Sequence, residues 1–103
     1  MRLLVLFDLP TGSKSERKTY AKFRKFLIDD GYHMEQFSVY SRALRSRDSS
    51  ETHLQRLRAN LPSAGAVTVL LLTEKQFESR QVLVDTHSHE NLSDIGSQMT
   101  LIF

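Results

Sequence analysis

An unbroken apolar run near the start of the chain places the strongest constraint on its fold. Five apolar residues extend from Leu3 to Phe7, and Asp8 and Pro10 follow closely. A short continuous apolar run bounded by a turn residue is typical of a buried or central β-strand. Pro10 lacks a donor N–H and disfavours helix at the residue before it, so the strand should end there. We therefore predict a central strand over residues 3–10 with a carboxylate at its exit.

Asp8 has two interpretations at this position. A side chain at the end of a central strand reaches the surface while its backbone stays fixed, which suits a metal-binding or catalytic carboxylate. An aspartate also commonly caps the turn that follows a strand. The residue type alone leaves both interpretations open.

Composition excludes several classes of protein. The 103 residues allow one domain, and the content of 40% apolar and 25% charged residues is ordinary for a globular chain. We expect no membrane span and no export signal, because no apolar run approaches the necessary length. The absence of cysteine excludes thiolate chemistry and is typical of the cytoplasm. Any metal would therefore be held by oxygen or imidazole, which favours Mg²⁺ or Mn²⁺.

Three nucleotide-binding and hydrolase motifs are also missing from the sequence. The chain has no phosphate-binding P-loop, no glycine-rich dinucleotide fingerprint and no nucleophile elbow. These absences argue against the corresponding ATPases, dehydrogenases and serine hydrolases.

Positive charge is concentrated in the first part of the chain. Residues 1–60 carry twelve Lys/Arg and seven Asp/Glu, a net charge of +5, whereas residues 61–103 carry two and five, a net charge of −3. This asymmetry indicates a polyanionic partner such as nucleic acid. A solvated basic face without a partner would produce the same pattern.

A first helix should follow the strand. Ser13 and Glu16 have the spacing of a capping box, and Gly31 suits the end of a helix over residues 14–30. One face carries an apolar stripe expected to pack on a sheet, formed by Tyr20, Phe23, Phe26 and Leu27.

The remaining faces of this helix are basic. Its opposite side carries Lys14, Lys18, Lys22 and Lys25. Arg17 and Arg24 lie at the border, where an arginine can rest its stem on apolar neighbours and direct its guanidinium to a phosphate. A further basic cluster on a predicted loop consists of Arg42, Arg45 and Arg47. We predict that these nine residues bind nucleic acid.

The rest of the chain alternates between strand and helix patterns. Residues 32–44 alternate as one long kinked strand or as two short strands broken near Gln36. Asp48 opens a second helix, in which Leu54, Leu57 and Leu61 have the spacing of core residues. The apolar, β-branched residues 66–72 predict a second central strand.

The end of the chain continues this alternation. Thr73 is a candidate cap of a helical turn, and residues 81–84 read as a further short strand. Residues 85–97 are polar, and residues 99–103 read as an apolar strand that pairs with a sheet edge in this or a second chain. The order predicts an α+β fold, a ferredoxin-like βαββαβ sandwich with an antiparallel sheet and an extra C-terminal strand.

Two other candidate sites are weaker. His87, His89 and Glu90 form a short polar tract without a distant ligand, which is poor support for a metal site. His33 and His53 are isolated and are predicted to lie on the surface. Residues 37–40 (FSVY) are similar to the aromatic strand of an RNA-recognition motif but lack its glycines and basic opening.

A two-fold dimer would change what Asp8 can do. One aspartate alone provides few ligands for Mg²⁺, which usually takes one or two carboxylates with waters and phosphates. Two Asp8 side chains facing each other near a two-fold axis would bracket one ion. This hypothesis makes activity depend on dimer geometry.

Segments throughout the chain resemble the Cas2 family, the small CRISPR-associated proteins of spacer acquisition. The resemblance rests on residues 7–10 (FDLP), 16–18 (ERK), 23–27 (FRKFL), 31–32 (GY) and 36–41 (QFSVYS). The branch that accompanies type II systems is similar in residues 73–77 (TEKQF) and 101–103 (LIF). No single motif is distinctive, but the ordered set with this spacing is fairly specific.

The resemblance implies a single ferredoxin-like domain over residues 1–103 that forms a homodimer. In such a dimer the protomers exchange the C-terminal extension, residues 85–103. The resemblance further implies that the dimer binds double-stranded DNA and bridges two dimers of the Cas1 integrase in spacer acquisition. The family's first-strand acid corresponds to Asp8, the implied catalytic residue and ligand of Mg²⁺ (or Mn²⁺). The implied activity is phosphodiester cleavage of single-stranded RNA or double-stranded DNA in the cytoplasm, away from any membrane.

Two alternatives to this endonuclease stay open. In one, the protein is a non-catalytic scaffold that binds double-stranded DNA and bridges integrase dimers, and Asp8 is structural. In the other, it is a stand-alone RNA-binding module that would stack bases on Tyr40 and neighbouring aromatic rings.

Overall fold

The predicted central strand is the centre of the observed sheet. The structure, a computed structural model, describes residues 1–86. Four antiparallel strands pair in the order β2-β3-β1-β4. Their bounds are β1 (Arg2–Asp8), β2 (His33–Gln36), β3 (Val39–Ala43) and β4 (Ala66–Leu72). The early apolar run therefore forms a strand with a neighbour on each side, as its composition predicts.

Three helices complete the described fold: α1 (Lys14–Asp29), α2 (Ser49–Ala59) and α3 (Glu74–Glu78). The predicted capping box of α1 is present, because Glu16 N–H donates to Ser13 Oγ and Ser13 N–H donates to Glu16 Oε1. Thr73 and Gln76 make the equivalent pair of bonds at α3. The order β1-α1-β2-β3-α2-β4 confirms the α+β, ferredoxin-like prediction.

The two faces of the sheet differ. On one face Leu3, Val5 and Phe7 of β1 are buried in a core with the apolar stripe of α1 and with Leu57 of α2. Leu4 and Leu6 point to the other face and are only half-buried. We call this second side the open face. Alternate residues of a strand point to the same face, so the side chain of Asp8 lies on the open face with those of Leu4 and Leu6.

α3 covers one end of the open face. The guanidinium of Arg2 contacts the carboxylate of Glu74, and its carbon atom Cζ lies 4.3 Å from the centre of the Phe77 ring. Arg80 contacts the same ring at 3.9 Å and lies 3.8 Å from Glu35 of β2. Arg2 and Asp8 are at opposite ends of β1, so the end that carries Asp8 is left uncovered by α3.

The open question about residues 32–44 is resolved as two strands. β2 and β3 form a hairpin whose turn is Phe37-Ser38, and Ser38 adopts a left-handed backbone with φ of 63°. The register shifts between Met34 and Gln36, which is a bulge-like irregularity. A single alternating strand would carry no such turn, and period-two patterns alone cannot locate it.

Four local predictions are wrong. Residues 66–72 form β4, which is an edge strand of the described sheet rather than a second central strand, because it pairs with β1 alone among the described strands. Residues 81–84 form no strand, because no sheet edge within the described chain pairs with them, and Leu83 and Val84 stay exposed. Leu61 lies beyond the end of α2 and is exposed rather than in the core. His53 is buried, because it lies beneath Arg42 and beside Asp30. The predictions for residues 87–90 and 99–103 fall outside the described residues.

Candidate active site at the end of the central strand

The backbone of Asp8 is held on both sides. Asp8 pairs with Ala66 of β4, and the N–H of the preceding Phe7 donates to Ser38 O over 3.1 Å. Gly65 packs against the same point with φ of 94°, and a Cβ placed there would lie 2.5 Å from the carbonyl oxygen of Asp8. The carboxylate is therefore mounted on a rigid base, as a group that must be positioned accurately requires.

The carboxylate itself is exposed. Its oxygens make no hydrogen bond or ion pair with any other part of residues 1–86. The interpretation of Asp8 as a cap of the next turn therefore finds no supporting bond, since Ser13 caps α1. The group is free to act on a ligand.

Few metal-binding side chains lie together in residues 1–86 of one protomer. No group of three His, Cys, Asp or Glu side chains within the described range could hold an ion together. Asp8 can supply one of the one or two carboxylates that Mg²⁺ usually takes, with waters and phosphate oxygens completing the site. A second Asp8 from another copy would supply the second carboxylate.

The predicted basic residues divide into two groups. Lys14, Arg17 and Lys18 lie on the first turns of α1, which begins beside the end of β1 that carries Asp8. Arg17 donates from Nη1 to the carbonyl of Thr11 over 3.1 Å. Further along the helix, Lys22 and Lys25 are exposed, and Arg24 donates from Nε to the hydroxyl of Tyr40 over 3.1 Å.

The second group lies at the other end of the sheet. Ala43 pairs with Arg2, so Arg45 and Arg47 follow the strand end that is opposite to Asp8. Seven strand residues separate the two ends by roughly 20 Å. The predicted cluster of Arg42, Arg45 and Arg47 is thus not brought to the Asp8 site.

Arg42 has a structural contact that its sequence pattern did not reveal. Its Nη1 donates to the carbonyl of Asp30 at the end of α1, and its Nε donates to His53 Nε2 over 3.2 Å. A side chain at Gly31, where φ is 92°, would collide with this guanidinium. Arg42 therefore satisfies a free carbonyl at the C-terminus of α1.

A polar cluster surrounds that contact. Asp30 binds Arg56 over 2.8 Å through Oδ1, and its Oδ2 lies 3.8 Å from His53 Nδ1. Burial, and secondly the charge of Arg42, lowers the pKa of His53. Burial, and secondly Asp30, raises the pKa of Tyr32 to about 12. Asp30 thus meets the basic partners that offset its unfavourable position at the negative end of a helix.

Sequence reasoning included Phe37 only among the aromatic neighbours of Tyr40. It missed the pair that Phe37 forms with Tyr20 beside the candidate site. Phe37 is 72% exposed, and its ring stacks on that of Tyr20 with centroids 5.7 Å apart and planes 17° apart. The hydroxyl of Tyr20 is 2.9 Å from Ser38 Oγ. Tyr40, the ring named for the RNA-binding alternative, is 1% exposed, so it cannot stack on a base. An aromatic residue at a hairpin turn was the signal available in the sequence.

No helix in the described part of the chain is long and apolar enough to cross a membrane.

Comparison with known proteins identifies the family. The family model described as CRISPR-associated protein Cas2 matches residues 1–80. The CRISPR-associated endoribonuclease Cas2 of Acidovorax ebreus is 58% identical over 84 residues, which are 82% of each chain. The protein of the same name from Streptococcus mutans serotype c is 38% identical over 102 residues, 99% of this chain and 93% of the relative.

A solved structure has the same fold. The crystal structure of Streptococcus pyogenes Cas2 superposes with a TM-score of 0.63 at 21% sequence identity, covering 82% of this chain and 100% of that one. This similarity supports the architecture, and the sequence matches establish the relationship. The chain belongs to the Cas2 family of CRISPR-associated proteins.

Proposed function

We propose that this protein is a metal-dependent endonuclease of CRISPR spacer acquisition, in which Asp8 is the catalytic carboxylate. Its substrates are single-stranded RNA or double-stranded DNA, and its cation is Mg²⁺, with Mn²⁺ as a substitute. The RNA substrate is supported by the relatives named endoribonucleases. The absence of cysteine supports a cytoplasmic location.

One observation carries the proposal: Asp8 projects from the open face of the sheet. That face carries the half-buried Leu4 and Leu6 of β1, and Leu70 of β4 beside them is 46% exposed. An apolar sheet face is stable when another layer covers it. A second copy packed on this face as a two-fold homodimer would bring two Asp8 side chains to the same side of the interface.

The two carboxylates would hold one cation together with phosphate oxygens. When bound, the ion supplies polarisation of the scissile phosphate and a water nucleophile with a lowered pKa. Asp8 orients this assembly from its rigid strand end. Lys14, Arg17 and Lys18 bind neighbouring phosphates by charge and carry no base specificity.

Substitution of Asp8 tests the proposal. Labelled duplex DNA and labelled single-stranded RNA are incubated with wild type and Asp8→Asn, each with Mg²⁺, with Mn²⁺ and with chelator. We expect metal-dependent cleavage that falls roughly 100-fold or more in Asp8→Asn, because the ion contributes several kcal/mol to the transition state.

Asp48→Asn is the matched control. Asp48 is exposed, makes no side-chain capping bond and lies near the other end of the sheet. The Asp48→Asn variant should cleave at the wild-type rate. Cleavage that persists in Asp8→Asn, or that the chelator does not reduce, contradicts the proposal.

A non-catalytic scaffold is the second candidate function. It is favoured by the row of exposed lysines along α1 and by the absence, among residues 1–86, of any group of three side chains that could hold a metal ion. In that role the homodimer holds duplex DNA and bridges dimers of the Cas1 integrase, which performs the chemistry. Spacer integration that requires this protein and persists undiminished in Asp8→Asn, without any cleavage by the protein alone, would establish the scaffold.

A further inference from the structure

We propose that Phe37 is a stacking platform for an unpaired base of the nucleic acid whose backbone lies at Asp8. This inference rests on the proposed function and deepens it, because it assigns a second contact to the substrate strand. The ligand class is a nucleotide strand with at least one unpaired base. Neither the endonuclease nor the scaffold role requires such a contact.

The ring of Phe37 is exposed and yet fixed in place. It is 72% exposed at the tip of the β2–β3 hairpin, so the described residues bury little of this apolar side chain. Tyr20 stacks on one of its faces, and the Tyr20 hydroxyl is 2.9 Å from Ser38 Oγ at the next position. The second face of the ring is therefore presented without a further loss of conformational freedom, which favours binding.

Backbone pairing places Phe37 at the same end of the sheet as Asp8. The N–H of Phe7 donates to Ser38 O over 3.1 Å, so Phe7 on β1 and Ser38 in the hairpin turn lie side by side. Asp8 follows Phe7, and Phe37 precedes Ser38, so both extend past this point in the same direction. Asp8 faces the open side of the sheet, whereas Phe37 meets α1 on the helical side. A strand that crosses this end of the sheet would meet both residues.

The positive charges around the ring complement the negative charge of a nucleic acid. Tyr20 lies on α1 between Arg17, three residues earlier, and Arg24, four residues later, so all three share one side of the helix. Both arginines remain exposed. An aromatic platform flanked by cations is the arrangement by which proteins bind single strands, with bases stacked and phosphates neutralised.

The test compares strands with and without an unpaired base. A single-stranded RNA dodecamer containing 2-aminopurine and a blunt duplex of the same length are titrated against wild type, Phe37→Ala and Phe37→Tyr, in chelator to prevent cleavage. We expect Phe37→Ala to bind the single strand roughly 10-fold or more weakly and to lose the quenching of 2-aminopurine. Phe37→Tyr should restore both, and the duplex should bind all three proteins equally.

Ile28→Ala is the matched control. Ile28 is 45% exposed at the opposite end of α1, so its removal deletes a comparable apolar surface away from the platform. It should bind like wild type. Circular dichroism checks that each variant is folded.

The contrary outcomes are distinct. Unchanged binding of the single strand by Phe37→Ala overturns the inference, and so does equal weakening of the duplex. If Phe37→Ala changes the mass of the oligomer and leaves the affinity for the single strand unchanged, the ring makes a protein contact, and the inference is overturned as well. Asp8-dependent cleavage would survive any of these results, whereas wild type that binds neither nucleic acid overturns this inference and the proposed function together.

Discussion

At the scale of single residues, Gly65 fixes the position of the candidate catalytic group. Its backbone has φ of 94°, and a Cβ would lie 2.5 Å from the carbonyl oxygen of Asp8 and 2.7 Å from Cδ2 of Leu9. Any side chain must therefore push β1 away at the point where Asp8 begins. Only glycine combines this conformation with this approach.

Gly65→Ala should lower both stability and activity. We expect a loss of about 1–3 kcal/mol in the free energy of unfolding, from the left-handed backbone and the contact with β1. Urea unfolding measures it. Gly12→Ala is the control, because its Cβ would meet only Glu16 Oε1 at an ordinary 3.5 Å and should change stability little. Equal stability of the two variants would contradict this account of Gly65.

At the scale of elements, the C-terminus of α1 is joined to α2 through a buried histidine. His53 on α2 accepts a hydrogen bond from Arg42, which leaves its proton on Nδ1, towards Asp30. Protonation would replace that acceptor by a third cation beside Arg42 and Arg56. Burial, followed by the charge of Arg42, accordingly lowers the pKa of His53, and Asp30 opposes the shift.

The sign of the resulting pH dependence follows from linkage. The unfolded chain takes up this proton near the ordinary histidine pKa of about 6.5, before the folded chain does. The free energy of unfolding should therefore decline as pH falls below that value and level off beneath the folded pKa. We expect the melting temperature of His53→Gln, whose amide can still accept from Arg42, to vary less between pH 7.5 and roughly pH 5. A variant with the same slope as wild type would contradict this role.

Local elements were predictable and non-local contacts were not. The capping box at Ser13 and Glu16 depends on residues three positions apart, so spacing alone predicts it. The burial of His53 depends on Arg42 and Asp30, which are far away in sequence. Likewise, the turn at Ser38 requires a left-handed backbone that its residue type does not specify.

The residues of the candidate site likewise differ in whether the sequence alone predicts their role. Asp8 was predicted as the acid at the exit of the central strand, because a continuous apolar run followed by proline identifies that position. The sequence did not predict that Phe37, rather than Tyr40, is the exposed ring, because this exposure depends on the hairpin turn and on Tyr20 stacking against Phe37. The separation of Arg45 from Asp8 also depends on strand pairing, since charge counts do not show which end of a sheet a cluster occupies.

At the scale of the whole molecule, the open face determines whether two copies of Asp8 can meet. Leu70→Lys places a charge on that face and should convert the proposed dimer to a monomer. Light scattering measures the mass, and metal-dependent cleavage should be lost together with the dimer. Leu61→Lys is the control, because Leu61 is 47% exposed, against 46% for Leu70, and lies outside the sheet. A monomer that cleaves at the wild-type rate would contradict the shared-carboxylate mechanism.

The strand order also determines when the molecule can fold during synthesis. Of the described elements β1 is made first, and β4 and the Glu74 that binds Arg2 are completed more than sixty residues after it. At about 5–20 residues per second, the central strand waits several seconds on the ribosome with one edge unpaired. Its apolar residues are an aggregation hazard during that interval. The nascent chain therefore depends on prompt completion of β4. A ribosome that stops before β4 is translated would leave a product with its central strand exposed.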